Sequence, residues 1–112
     1  MARTTFSGPV ASTNGFIPGA GATVTAVLAA TATIDFASIP ANTSADSTGI
    51  TVTGAAVGDA VFVGVPSAIE AGLVVTGYVS ATDTVKVRAA NVTALAINPA
   101  SGAFKVVVIK TA

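Results

Sequence analysis

The sequence predicts an all-β domain, a small antiparallel β-sandwich or barrel of six to seven strands, carried behind an extended N-terminal arm. Three observations predict it. From residue 24 onward Thr and Val recur throughout, and both are stiff at χ1 and suit a pleated surface. Several segments alternate apolar and polar residues with the strand period of two. Gly, Pro, Asn and Asp separate these segments at the short spacing of sandwich turns.

Residues 1–23 form the arm. Gly8, Pro9, Gly15, Pro18, Gly19 and Gly21 crowd it, and such residues oppose both helix and central strand. Phe6, Val10, Phe16 and Ile17 stand among them as apolar anchors. An arm with so little core of its own either hangs free or docks on another surface through Phe6, Pro9, Val10, Phe16 and Ile17. Residues 24–112 form the β-domain. Its first segment, Gly21 to Ala32, is Ala-rich enough for a helix, yet Thr23, Thr25, Thr31 and Thr33 pull it toward strand.

Thr33-Ile34-Asp35-Phe36 alternates and puts Ile34 and Phe36 on one face. Ile50-Thr51-Val52-Thr53 alternates likewise and stops at Gly54. Val61-Phe62-Val63-Gly64-Val65 is continuously apolar, the pattern of a strand covered on both faces. Pro66 to Gly72 has room for one helical turn. Leu73 to Ser80 and Thr84 to Ala90 flank Ala81-Thr82-Asp83 as a hairpin. In the second of these strands Val85, Val87 and Ala89 face one way, and Lys86 and Arg88 the other. Ser101-Gly102 turns the chain into the last strand, Phe104 to Thr111. There Phe104, Val106 and Val108 share one face, while Val107 and Ile109 share the other with Lys105. A half-exposed strand would carry polar residues at Val107 and Ile109. Either the domain's own loops cover them, or another subunit does.

Composition limits the chemistry. The chain has five basic and five acidic residues, 9% of its length, with no His and no Cys, while 52% of it is hydrophobic. Soluble domains carry about a quarter charged residues. A near-neutral chain this apolar tends to associate. The basic residues Arg3, Lys86, Arg88, Lys105 and Lys110 form no run, so neither nucleic acid nor an anionic membrane is invited. No stretch reaches the ~18 continuous apolar residues of a membrane helix. Ala22 to Ala30, followed by Ala30-Thr31-Ala32, is at most a weak signal sequence, because Arg3 is the only charge before it.

Without His or Cys, no thiolate, zinc-thiolate or imidazole chemistry is open. Asp35, Asp46, Asp59, Glu70 and Asp83 lie in separate strands and turns, and a hydrolytic carboxylate pair needs two of them together. Asp59 and Asp83 read as turn residues. Ser101 and Lys105 are the one hydroxyl–amine spacing of note, but a strand holds them far apart. Gly19-Ala20-Gly21 lacks the ending of a phosphate loop. Asp46 among Asn42, Thr43, Ser44 and Ser47 is the one oxygen-rich cluster suited to calcium, and a polar inter-strand loop accounts for the same residues. Asn42-Thr43-Ser44 and Asn91-Val92-Thr93 match the glycosylation pattern, a cheap match in Thr-rich sequence. The residues imply no catalytic site, no metal and no cofactor.

The order of residues carries a resemblance. Thr33-Ile34-Asp35-Phe36 and Ile39 lead into the unbroken run Ile50-Thr51-Val52-Thr53-Gly54-Ala55-Ala56-Val57-Gly58-Asp59-Ala60-Val61. Pro66, Glu70-Ala71-Gly72-Leu73, Val79-Ser80-Ala81, Asp83-Thr84-Val85, Val87-Arg88, Asn91-Val92-Thr93, Ile97, Pro99-Ala100-Ser101-Gly102 and Val106 follow. This series resembles a small β-domain of tailed-bacteriophage virion proteins. Phe6-Ser7-Gly8-Pro9-Val10 and Asn14-Gly15-Phe16 look like the start of short phage head proteins. The resemblance implies a capsid decoration, or cement, protein on the head exterior, a homotrimer that binds the major capsid protein and brings no catalytic residues. It also fits a tail-fibre or head-fibre module that binds host glycans, for which Tyr78 is the only Tyr and no Trp is present.

Overall fold

The computed structural model describes residues 3–112 as seven strands and no helix. The strands are β1 (Val24–Ile34), β2 (Ser44–Asp46), β3 (Ile50–Thr51), β4 (Ala60–Gly64), β5 (Leu73–Ala81), β6 (Thr84–Asn91) and β7 (Gly102–Thr111). They make two antiparallel sheets. The first has the order β1-β7-β4. In the second, β6 pairs with β5 along one side and with the short β2 and β3 along the other. The two sheets face each other as a sandwich.

The helical potential of Gly21 to Ala32 is not realised. β1 runs through it and alternates half-buried with exposed residues along its length, because β7 offers a ladder from Val24↔Thr111 to Ile34↔Gly102 and β-branched Thr recurs in it. Nor does Pro66 to Gly72 form a helix; it is a turn segment in which Ile69 N–H donates to the Pro66 carbonyl at 3.1 Å. β2 lies in the stretch read as a polar loop.

Alternation predicts the core well. Val85, Val87 and Ala89 of β6 and Val106 and Val108 of β7 are fully buried. Ile34 and Phe36 are buried together, as their spacing requires. Phe36 meets Phe104 edge-on, with ring centroids 6.1 Å apart, so an aromatic pair is set into an otherwise aliphatic interior. Gly77 of β5 is a point of close approach between the sheets: a Cβ there would lie 2.7 Å from Val63 and 2.8 Å from Val61. The hairpin turn after β5 is tied down from two sides. Asp83, at φ 61°, accepts the Gly54 amide on its carboxylate at 2.8 Å and the Val52 amide on its carbonyl at 2.8 Å.

The molecule is extended, 56 × 30 × 24 Å, with a radius of gyration of 17.2 Å against about 13 Å for a compact chain of this length. Its accessible surface is 7080 Å², where a compact monomer of this mass exposes roughly 5,500 Å². The arm accounts for this shape: from Arg3 to Gly21 every residue but half-buried Gly15 is exposed.

Candidate functional site

The last strand organises an apolar surface. Because Phe104, Val106 and Val108 point into the core, Val107 and Ile109 point out. Register then places Ala29 and Phe62 on either side of Val107, and Val27 and Ala60 on either side of Ile109. Six uncharged residues from three strands thus share one outward face. The domain's own loops leave it open, since Val27 is 59% exposed and Phe62 58% exposed. β4 is therefore not covered on both faces within the chain: its burial alternates, with Val61 and Val63 inward and Phe62 outward.

The arm reaches this face at one corner. Phe16 donates its amide to the Val24 carbonyl at 3.1 Å and accepts the Val24 amide at 2.8 Å, so a single bridge fastens the arm to β1. Val10, Phe16, Val24 and Val27 line a groove of about 180 Å³. The structure brings Val10 and Phe16 of the predicted docking residues beside Val27. Phe6, Pro9 and Ile17 are exposed and stand apart from that groove. Sequence reasoning missed Val27 and Phe62 as members of the face. Their own periodicity carried no such signal, and only pairing with β7 reveals it.

The opposite face of the sandwich is polar. Arg88 grips Asp46 with two bonds, Nε to Oδ1 at 2.7 Å and Nη2 to Oδ2 at 3.0 Å. Tyr78 donates its hydroxyl to Asp46 Oδ2 at 2.6 Å, and the Arg88 guanidinium lies 4.8 Å from the centre of the Tyr78 ring. The hydrogen bonds from Arg88 and then Tyr78 hold the Asp46 carboxyl down to about 2. The bond to Asp46 raises the pKa of the Tyr78 hydroxyl, against a smaller lowering by Arg88.

These bonds remove Asp46 from the suggested calcium cluster. Ser47 Oγ donates to the Thr48 carbonyl and accepts the Val87 amide, and Thr43 Oγ1 donates to the Pro40 carbonyl. The cluster's oxygens therefore do not converge. Among the described residues no group of three or more acidic, His or Cys side chains is placed to hold a metal. Other carboxylates also serve the fold. Asp59 accepts from Lys110 Nζ at 2.7 Å and from the Ala56 amide at 3.0 Å, and both hold its pKa below the usual value, Lys110 more strongly. Glu70 accepts the Ala100 amide at 3.0 Å.

A shallow depression of about 430 Å³ lies between Asn42–Ser44 and Ala90–Val92. Asn91 does not serve it. The Asn91 side chain is buried and donates to the carbonyls of Ile39 at 2.9 Å and Leu95 at 2.8 Å, and it accepts the Thr93 amide at 2.9 Å. Asn91 is thus a loop organiser and no glycan acceptor.

No protein-family model, curated protein or solved structure matches the chain.

Proposed function

We propose that this chain is a structural virion protein, a capsid decoration protein that binds the outer surface of a bacteriophage head and ties major capsid subunits together. One observation carries the reading. The outward apolar face of Val27, Phe62, Val107 and Ile109 runs into an arm whose Phe6, Val10, Phe16 and Ile17 are all exposed. Monomeric soluble proteins rarely leave large contiguous apolar patches in water. Lys105 stands at one end of this face, and Asp46 with Arg88 and Asp59 with Lys110 are engaged with one another.

In this reading the β-domain forms a homotrimer through Val107, Ile109 and their neighbours, and the arm lies on the major capsid protein through Phe6, Pro9, Val10, Phe16 and Ile17. Fully burying one such large apolar side chain is worth roughly 1.5–3 kcal/mol before ordering costs. Three linked copies add avidity without new contacts. The order of residues that resembles phage virion domains supports the shell as the partner. Glycan recognition by a fibre module draws less support, because Tyr78 has its hydroxyl bound to Asp46 and Arg88 beside its ring.

The test is binding to purified, undecorated phage heads, followed by co-sedimentation and imaging of the particles. The full chain should coat the head exterior at regular positions. A chain lacking residues 1–20 should stay folded and fail to coat. Equal coating by the truncated chain refutes the docking arm, and no coating by the full chain refutes the shell reading.

A further inference from the structure

The open edge of β1 has a built-in partner. β1 is the outer strand of its sheet, 11 residues long with neither a charge nor a proline. Edge strands of natural proteins are blunted with charge, proline or cover, because every second residue turns an unpaired N–H and C=O outward. Along the open side of β1, the only backbone hydrogen bonds among the described residues are the two that join Val24 to Phe16. Leu28, Ala30 and Ala32 of the same strand pack against the core and are only half-buried.

We propose that β1 accepts residues 3–13 of a second copy of this chain as an added antiparallel strand, so that arms are exchanged between copies. Three features of the arm fit this place. Residues 3–13 match β1 in length, and beyond Arg3 they carry no charge to repel an uncharged edge. Pro9, which has no N–H, is tolerated in the registers that turn it away from β1. The third feature is why the arm does not continue along its own β1. Gly15, at φ 82°, makes a tight turn with Ser12, and a Cβ there would overlap the Val24 carbonyl. After that one bridge the turn ends the pairing, and residues 3–11 make no backbone hydrogen bond to their own β1.

The inference goes beyond the shell reading and does not depend on it. An arm held by a neighbouring copy is unavailable to a shell until it is released, so the two occupants compete.

The chain has no Cys, which makes cross-linking clean. One protein would carry Val10→Cys. Three others would carry Ala30→Cys, Thr31→Cys or Ala32→Cys, spanning the registers an added strand can take. Each is mixed with the first under mild oxidation, with Val74→Cys on the opposite sheet as control. Arm exchange predicts mixed-disulfide dimers with at least one of the three, at least tenfold above the control, and loss of them when unlabelled full-length chain is added in excess. A Val10→Cys/Thr31→Cys double variant that closes only within one chain at low concentration overturns the proposal in favour of the chain's own arm. Failure of all three pairs overturns it outright. No shell is present, so either failure leaves the decoration reading untouched.

Discussion

Replacing Phe62 by Asp separates association from folding. Phe62 lies on edge strand β4, opposite Val107, and turns away from the core with 58% of its surface exposed. In a single chain the new carboxylate meets water, so the fold should lose no more than about 1 kcal/mol, the span of strand propensities. In an assembly that covers the face, each copy would bury an unpaired carboxylate. Leaving a buried charge without a partner costs about 3–5 kcal/mol, a loss of about two to four orders of magnitude in association constant. Sedimentation equilibrium across a wide concentration range reads the association, and thermal unfolding of the same samples reads the fold. The native chain should be trimeric, with an unfolding midpoint that rises with concentration, and the variant monomeric, with a cooperative midpoint independent of concentration. Equal association by the two proteins, or a native chain that stays monomeric throughout, refutes the reasoning.

Three further outcomes follow from contacts within the chain. Gly77→Val inserts a side chain where a Cβ already lies 2.7 Å from Val63, and overpacking should destabilise by about 1–3 kcal/mol in chemical denaturation. Asn91→Ala leaves the Ile39 and Leu95 carbonyls and the Thr93 amide without their side-chain partner; the expected loss is about 2–4 kcal/mol, read by the same denaturation. Acid stability tests Asp46. Its folded pKa of about 2 lies below the ordinary value of 3.8, so its contribution is present above about pH 4 and is lost as pH falls toward 2. Asp46→Asn should therefore flatten the stability profile between those pH values and leave the slope elsewhere unchanged.

The fold class and the core were legible because alternation is a local signal. Val85, Val87 and Ala89 on one face of β6, with Lys86 and Arg88 on the other, needed no partner to be read. The faces of β7 were legible for the same reason. What could not be read depended on pairing. β2 is three residues of loop-like composition, Ser44–Asp46, and is a strand only because β6 offers it a ladder. The continuous apolar run at β4 looked like a strand buried on both sides. Its two faces differ because one meets β5 and the other meets no second layer among the described residues. The Asp46–Tyr78–Arg88 cluster joins residues distant in sequence, and no spacing rule connects them. In the arm the anchors were visible, but the turn at Gly15 that aims them was not, since it is defined by contact with the Val24 carbonyl.

The two faces of this sandwich differ in what they need from their surroundings. On the β6 side, exposed polar groups satisfy one another, and Arg88 spreads its charge over Asp46 and Tyr78. On the β7 side, β-branched and aromatic side chains meet water with no charge among them between Lys105 and Lys110. A sheet needs only one apolar face to fold against its partner. The second apolar face on the β1-β7-β4 sheet is therefore not explained by folding. Its energy is recovered only when something else covers it, and the uncharged edge of β1 and the projecting arm border that same face. Three unsatisfied features meeting at one side of the molecule favour a protein whose finished state includes its neighbours.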